Sequence, residues 1–165
     1  MIGKKSGRRN LRQNYFDDLY KHFRANLEYR YKLCTVELIN DNLYHWKINI
    51  VGPKDTPYED GNFILKVNFS DDYLFTKPIF FFVNKIYHLN ISQVDGKISP
   101  SIFKNWNMAS QMINVFSEIY DLFYNQDPNK SYDSIMAKEY ETDREEFNRK
   151  AKEWTKKYAS KKNVD

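Results

Sequence analysis

Cysteine is nearly missing from this chain: its 165 residues include one, Cys34. An internal disulfide is excluded, and a reducing compartment, cytosol or nucleus, is the expected location. Histidine is scarce too, and the three present (His22, His45, His88) are spaced too widely for a Cys/His zinc site, so no metal is expected. The five glycines form no phosphate-cradling loop, so a nucleotide fold has no support and no small-molecule cofactor is expected. Long apolar runs are missing too. The longest, Ile79-Phe80-Phe81-Phe82-Val83, has five residues, against the roughly 20 that cross a bilayer. The start, Met1 to Asn10, holds no apolar stretch, so neither a secretory signal nor a transmembrane segment is expected.

Hydrophobic residues nevertheless make up 41%, enough for a sizeable core, and aromatics 17%, with 13 Tyr and 12 Phe. The length suits one domain. Charge is uneven. Residues 1–12 carry five basic side chains and no acid, and residues 149–165 carry seven against two. The stretch between has 14 basic and 20 acidic residues. The expected division is a basic flexible tail over 1–11, a core domain over 12–160 and a short tail over 161–165. Basic ends fit nucleic acid, an anionic membrane or an acidic protein face. No aromatics interleave with the basic residues of 1–12, so a stacking site for single strands is not written there, and nucleic acid is not the expected partner.

Phe16, Leu19, Tyr20, Phe23 and Leu27 recur at helical spacing and predict a helix over 14–29. The period then becomes two: Cys34, Val36 and Leu38; Tyr44, Trp46, Ile48 and Ile50; Phe63, Leu65, Val67 and Phe69. Each run predicts a half-buried strand. Short connectors rich in Asn, Asp, Gly and Pro imply an antiparallel meander. Residues 79–83 predict a fourth strand, buried on both faces because its hydrophobicity is unbroken. From Lys85 to Asn107 periodicity fails, which predicts a functional loop. Met112, Val115, Phe116, Ile119, Tyr120 and Phe123 mark a central helix ended by Asp127-Pro128-Asn129. A short helix over 132–140 follows, then a last one opened by Thr142-Asp143-Arg144-Glu145 and carrying Phe147, Ala151, Trp154 and Tyr158. Segregated strands and helices make the class α+β.

Several segments occur in one order: Asn42-Leu43-Tyr44-His45-Trp46, Gly52-Pro53, Thr56-Pro57-Tyr58-Glu59, Tyr73 with Phe75 and Pro78, Lys85-Ile86-Tyr87-His88-Leu89-Asn90-Ile91, Trp106, Asp127-Pro128-Asn129, and Glu153 to Ala159. Over about 12–160 the chain closely resembles the ubiquitin-conjugating enzyme family. The resemblance implies an N-terminal helix, a four-stranded meander, a long active-site loop and three further helices. It also implies a thioester relay, in which an activating enzyme loads ubiquitin or a similar modifier onto a cysteine and a substrate lysine, guided by a ligase, attacks.

In the family that cysteine follows a His-Pro-Asn motif, just after a Gly-x-x step. Here the stretch reads Gly96-Lys97-Ile98-Ser99, so serine stands at the cysteine position. A hydroxyl is a poor nucleophile without an adjacent base. His88, the nearest histidine in sequence, matches the family's structural histidine. Cys34, alternating with Val36 and Leu38, reads as a packed strand residue rather than a displaced nucleophile. Further departures surround Ser99: Pro100-Ser101 follow it, Leu89 replaces the motif proline, and Tyr73-Leu74-Phe75-Thr76-Lys77-Pro78 lacks two of three family prolines.

The resemblance implies further roles. Asn90 supports the active-site loop or stabilises an oxyanion. Tyr87, His88 and Gly96 support the loop. Ser131 or Asp133 is the acid-side candidate after Asp127-Pro128-Asn129. Phe75 and Asn107-Met108-Ala109 fall where ligases bind, although the first helix opens with the acidic Tyr15-Phe16-Asp17-Asp18. Thr35 lies on the sheet face that binds ubiquitin non-covalently. The expected function is a conjugating-enzyme-like protein of the ubiquitin or ubiquitin-like pathway, catalytically deficient. Its expected partners are the modifier, an activating enzyme, a ligase or a catalytic conjugating enzyme. Two alternatives stay open: an active enzyme carrying an engineered Cys→Ser change at 99, and a nucleic-acid or membrane-surface adaptor working through its basic ends.

Overall fold

The computed structural model describes residues 10–107 and 110–161. The order is α1 (Leu11–Arg30), β1 (Cys34–Ile39), β2 (Asn42–Val51), β3 (Asn62–Asn68), β4 (Ile79–Phe82), α2 (Met112–Asp121), α3 (Ser134–Thr142) and α4 (Arg144–Tyr158), with 3-10 turns at Pro100–Phe103 and Pro128–Lys130. The strands form one antiparallel sheet in sequence order, the meander expected from the short connectors. At the first hairpin Asn40 and Asp41 sit at φ 51 and 56. Both residue types tolerate that left-handed region, which lets a two-residue turn match the strand twist.

The inner sheet face and the apolar sides of α1 and α2 enclose an aromatic core. Phe16, Phe23 and Leu27 of α1 are buried, as are Trp46, Ile48, Phe63, Leu65 and Val67 of the sheet and Ile113, Phe116 and Ile119 of α2. Trp46 can be fully buried because its indole N–H donates to Leu43 O at 2.8 Å. Its ring lies 4.7 Å from Phe69 and 5.2 Å from Phe23, centroid to centroid.

Several features differ from the periodicity reading, among them the third helix, which runs Ser134–Thr142 rather than 132–140. α1 begins at Leu11, not 14, because Asn10 and Gln13 form a reciprocal capping box. Arg12 is thereby part of the helix: it donates to Ser70 O, pairs with Asp71 and lies over the Phe16 and Tyr44 rings. α2 stops at Asp121, and the chain turns before Pro128 rather than at it. β4 is not buried on both faces. Phe80 and Phe82 point into the core, while Ile79 and Val83 are 51% and 52% exposed.

The end of α4 is stitched to the sheet. The Asn84 side chain accepts from Ile64 N and donates to Asn62 O and Tyr158 O, and Asn62 N donates to Ala159 O at 2.7 Å. Gly61 fits beneath Thr155: a Cβ there would come within 2.6 Å of Thr155 Cγ2.

Candidate functional site

The irregular segment after β4 is held by a chain of specific bonds. His88 is 1% exposed. Its Nδ1 accepts from Asn90 N at 3.0 Å, so Nε2 must carry the proton, which it donates to Leu122 O at 2.9 Å. The ring is neutral, and burial pushes its pKa down to about 4. With both nitrogens committed to backbone, His88 is not placed to act as a base. Leu89 N donates to the Gln126 side chain, which donates to Tyr58 OH, which donates to Tyr87 O at 2.7 Å. Tyr87 OH donates to Glu139 Oε2 at 2.6 Å, and Lys150 donates to the other oxygen. That pairing, Lys150 first and Tyr87 second, holds the Glu139 carboxyl below the usual carboxylate range, while burial and then Glu139 push the Tyr87 phenol up.

Asn90 is fully buried. Its Nδ2 donates to Asp127 O at 2.8 Å and Lys130 O at 3.0 Å, and its Oδ1 accepts from Asp127 N at 2.9 Å. Both amide protons are thus spent on the 127–130 turn. Its own carbonyl accepts from Ser99 N at 2.8 Å. Asn90 therefore ties together the strand exit, the 127–130 turn and Ser99. Ile91 and Ile98 bridge beside it, and Gly96 sits at φ 72 in the tight return. A Cβ on Gly96 would lie 2.0 Å from Phe82 O.

Ser99 is 7% exposed and precedes the Pro100–Phe103 turn. Its hydroxyl bonds the Ser101 hydroxyl at 2.9 Å. Among the described residues no His, Asp or Glu shares a hydrogen bond with Ser99 Oγ, so nothing there withdraws its proton. Cys34 is 2% exposed opposite Ile50. Burial pushes its thiol up to about 12. Cys34 is on the first strand and Ser99 follows the segment bridged to the fourth, so about four strand spacings, roughly 19 Å, separate them.

The remaining expected residues lie elsewhere. Asp133 caps α3, its Oδ1 accepting from Ile135 N and Met136 N at 2.8 and 3.1 Å. Ser131 donates to Asp133 O. Phe75 is 79% exposed, just after Leu74 at φ 88, a strained backbone for a residue with a Cβ. Leu74 and Ser110 line one hollow with Tyr15, Leu19 and His22 of α1, and neither Phe75 nor Asn107 is among its walls. Met108 and Ala109 lie outside the described residues, as do residues 1–9 of the basic tail. Thr35 is exposed and accepts from Asn49 Nδ2 at 3.2 Å. Sequence reasoning missed Gln126, Glu139 and Lys150. None lies in a quoted motif, and each acts through partners well separated along the chain that no periodicity encodes.

The sequence profile of the ubiquitin-conjugating enzymes matches residues 18–155. The chain belongs to the ubiquitin-conjugating enzyme family. It is 37% identical over 126 residues to ubiquitin conjugating enzyme E2 B of Dictyostelium discoideum, covering 76% of this chain and 85% of that protein. Among solved structures it is similar to a Toxoplasma gondii ubiquitin conjugating enzyme E2 domain, with TM-score 0.75 and 29% identity over 87% of this chain and 99% of that one. A Plasmodium yoelii structure provisionally described as a ubiquitin conjugating enzyme gives TM-score 0.79 and 28% identity over 93% and 98%. The family fold agrees with the α+β order read from the sequence. Among the described residues no helix is long and apolar enough to cross a membrane, and no group of three or more His, Cys, Asp or Glu is placed to hold a metal.

Proposed function

We propose that this chain is a conjugating-enzyme-like protein that lacks its own thioester step and acts by binding a modifier or a catalytic partner. One observation carries the reading: Ser99, at the position where the family resemblance expects cysteine, donates its backbone N–H to the Asn90 carbonyl, and among the described residues its hydroxyl bonds Ser101 and no His, Asp or Glu. An ester formed there would resist attack by lysine far more than a thioester does, because an alkoxide is a much poorer leaving group than a thiolate. Asn90 then serves as a loop strut and Asp133 as a helix cap. The partners on this reading are ubiquitin or a related modifier, with an activating enzyme, a ligase or an active conjugating enzyme, in the cytosol or nucleus.

The test is charging with activating enzyme, ATP and ubiquitin, for the native chain beside Ser99→Cys. The native chain should form no adduct and the variant a reductant-labile one. A base-labile adduct at Ser99 that passes its modifier to lysine would overturn the proposal.

A further inference from the structure

Sulfur restored at residue 99 would return only half of a relay. The other half is an acceptor, and a lysine arrives as an ammonium: at pH 7 roughly one in 2,500 is neutral. A carboxylate in the groove would hold that cation and take its proton as the amine attacks. The walls around Ser99 are the 91–99 return, the 100–104 turn and the 127–133 turn. Asn90 draws them together, its carbonyl accepting from Ser99 N and its side chain donating to Lys130 O. Tyr132 feels the charges of both Asp95 and Lys97, so the first wall and the third are neighbours.

These walls hold three carboxylates, Asp95, Asp127 and Asp133, and each already has a partner. Asp95 Oδ1 accepts from Lys97 N at 3.2 Å, and its Oδ2 pairs with Lys97 Nζ at 3.0 Å. Asp127 Oδ1 accepts from Asn129 N at 3.0 Å, and its Oδ2 pairs with Lys130 Nζ at 3.0 Å. Asp133 caps α3, and its charge acts on the Tyr87 phenol, whose ring packs on Phe147 and Trp154 of α4. Two further cations stand beside Lys97 and Lys130. Lys104 ends the turn after Ser99 and makes no ion pair among the described residues, and Lys77 donates to Pro100 O at 3.4 Å.

We propose that the acceptor side of this groove is closed to lysine and admits a nucleophile that arrives neutral, with Lys130 as the residue that sets this specificity. Lys130 acts twice. Its ammonium neutralises Asp127, whose backbone is bonded to the Asn90 side chain. The same ammonium repels a second one approaching the turn. The inference deepens the reading above and rests on it for the place of Ser99: the chain has lost the acceptor half of the relay as well as the nucleophile, so Ser99→Cys alone does not return transfer to lysine.

The Ser99→Cys variant would be loaded by thiol exchange with the mercaptoethanesulfonate thioester of ubiquitin, which needs no activating enzyme. Cys34, 2% exposed, does not compete. Discharge is then followed with Nα-acetyl-lysine and, separately, with hydroxylamine, which is neutral at pH 7. In each case the nitrogen attacks the thioester carbonyl carbon, the C–S bond breaks, the sulfur leaves as thiolate and the nitrogen gives its proton to solvent. Hydroxylamine should discharge the thioester readily, and acetyl-lysine no faster than water does. Adding Lys130→Asp should raise the acetyl-lysine rate at least about tenfold and leave the hydroxylamine rate within about twofold. Lys130→Ala, which only frees Asp127, should give a smaller rise, and Lys130→Arg none. The backbone carbonyl of Lys130, not its side chain, holds Asn90, so these variants keep the strut. Ready discharge of Ser99→Cys by acetyl-lysine, no rise with Lys130→Asp, an equal rise with Lys130→Arg, or an equal rise for both nucleophiles would each overturn the proposal. Charging by activating enzyme is read separately, so either reading can fail alone.

Discussion

Replacing Asn90 with alanine should destabilise the domain by about 3–5 kcal/mol. The side chain makes bonds of 2.8, 3.0 and 2.9 Å from a fully buried position. Each buried partner left unpaired costs about 1–3 kcal/mol. Asp127 and Lys130 are half-buried, so water reaches some of the freed groups, which keeps the total in the lower half of the simple sum. In a domain of this size 1 kcal/mol moves Tm by about 2–4 °C, so the drop should be about 6–20 °C. Asn90→Asp keeps the shape but points a carboxylate at two carbonyls. Its folded pKa must rise above the unfolded value of about 3.9. Relative to the native chain at the same pH, its deficit should therefore be smaller near pH 4 and grow as pH rises toward 7. The assay is denaturant unfolding at both pH values, together with single-turnover transfer in a Ser99→Cys background. A stability loss below about 1 kcal/mol with transfer abolished would refute the strut and make Asn90 an oxyanion donor instead.

Two more predictions rest on the same loop. His88 is protonated more readily unfolded (6.5) than folded (about 4), so the unfolded chain takes up the extra proton and stability should fall as pH drops through that window. The loss should reach about 3 kcal/mol at 1.36 kcal/mol per pKa unit, and be visible as a pH-dependent unfolding midpoint that flattens in His88→Gln. Gly96→Ala should cost about 2–4 kcal/mol, because it combines a left-handed backbone with a Cβ driven into Phe82 O; a melting temperature within about 2 °C of the native one would mean that the 96–98 return shifts freely.

Most of the fold was legible because burial has a period. Phe16, Phe23 and Leu27 mark one side of a helix, and Trp46, Ile48 and Ile50 one side of a strand, whatever the rest of the chain does. What failed was decided by single bonds or by an apolar strand face that the domain leaves half-exposed. The start of α1 depends on two side chains, Asn10 and Gln13, that carry no hydrophobic signal. The composition of β4 asks for cover on both faces, but the domain supplies it on one. Within the site, His88, Asn90, Gly96 and Ser99 stood out through motif spacing, and the structure brings them together. Gln126, Glu139 and Lys150 did not, because their partners are 11 to 68 residues away in sequence.

The clasp made by Asn84 and Asn62 bears on how far the domain can be trimmed. Cutting the chain before Tyr158 would strip acceptors from the Asn84 and Asn62 donors, so the sheet itself would lose an anchor. A shortened form would be a frayed strand pair in search of a substitute rather than a smaller version of the same scaffold, whereas a fusion joined after residue 161 would leave the knot tied.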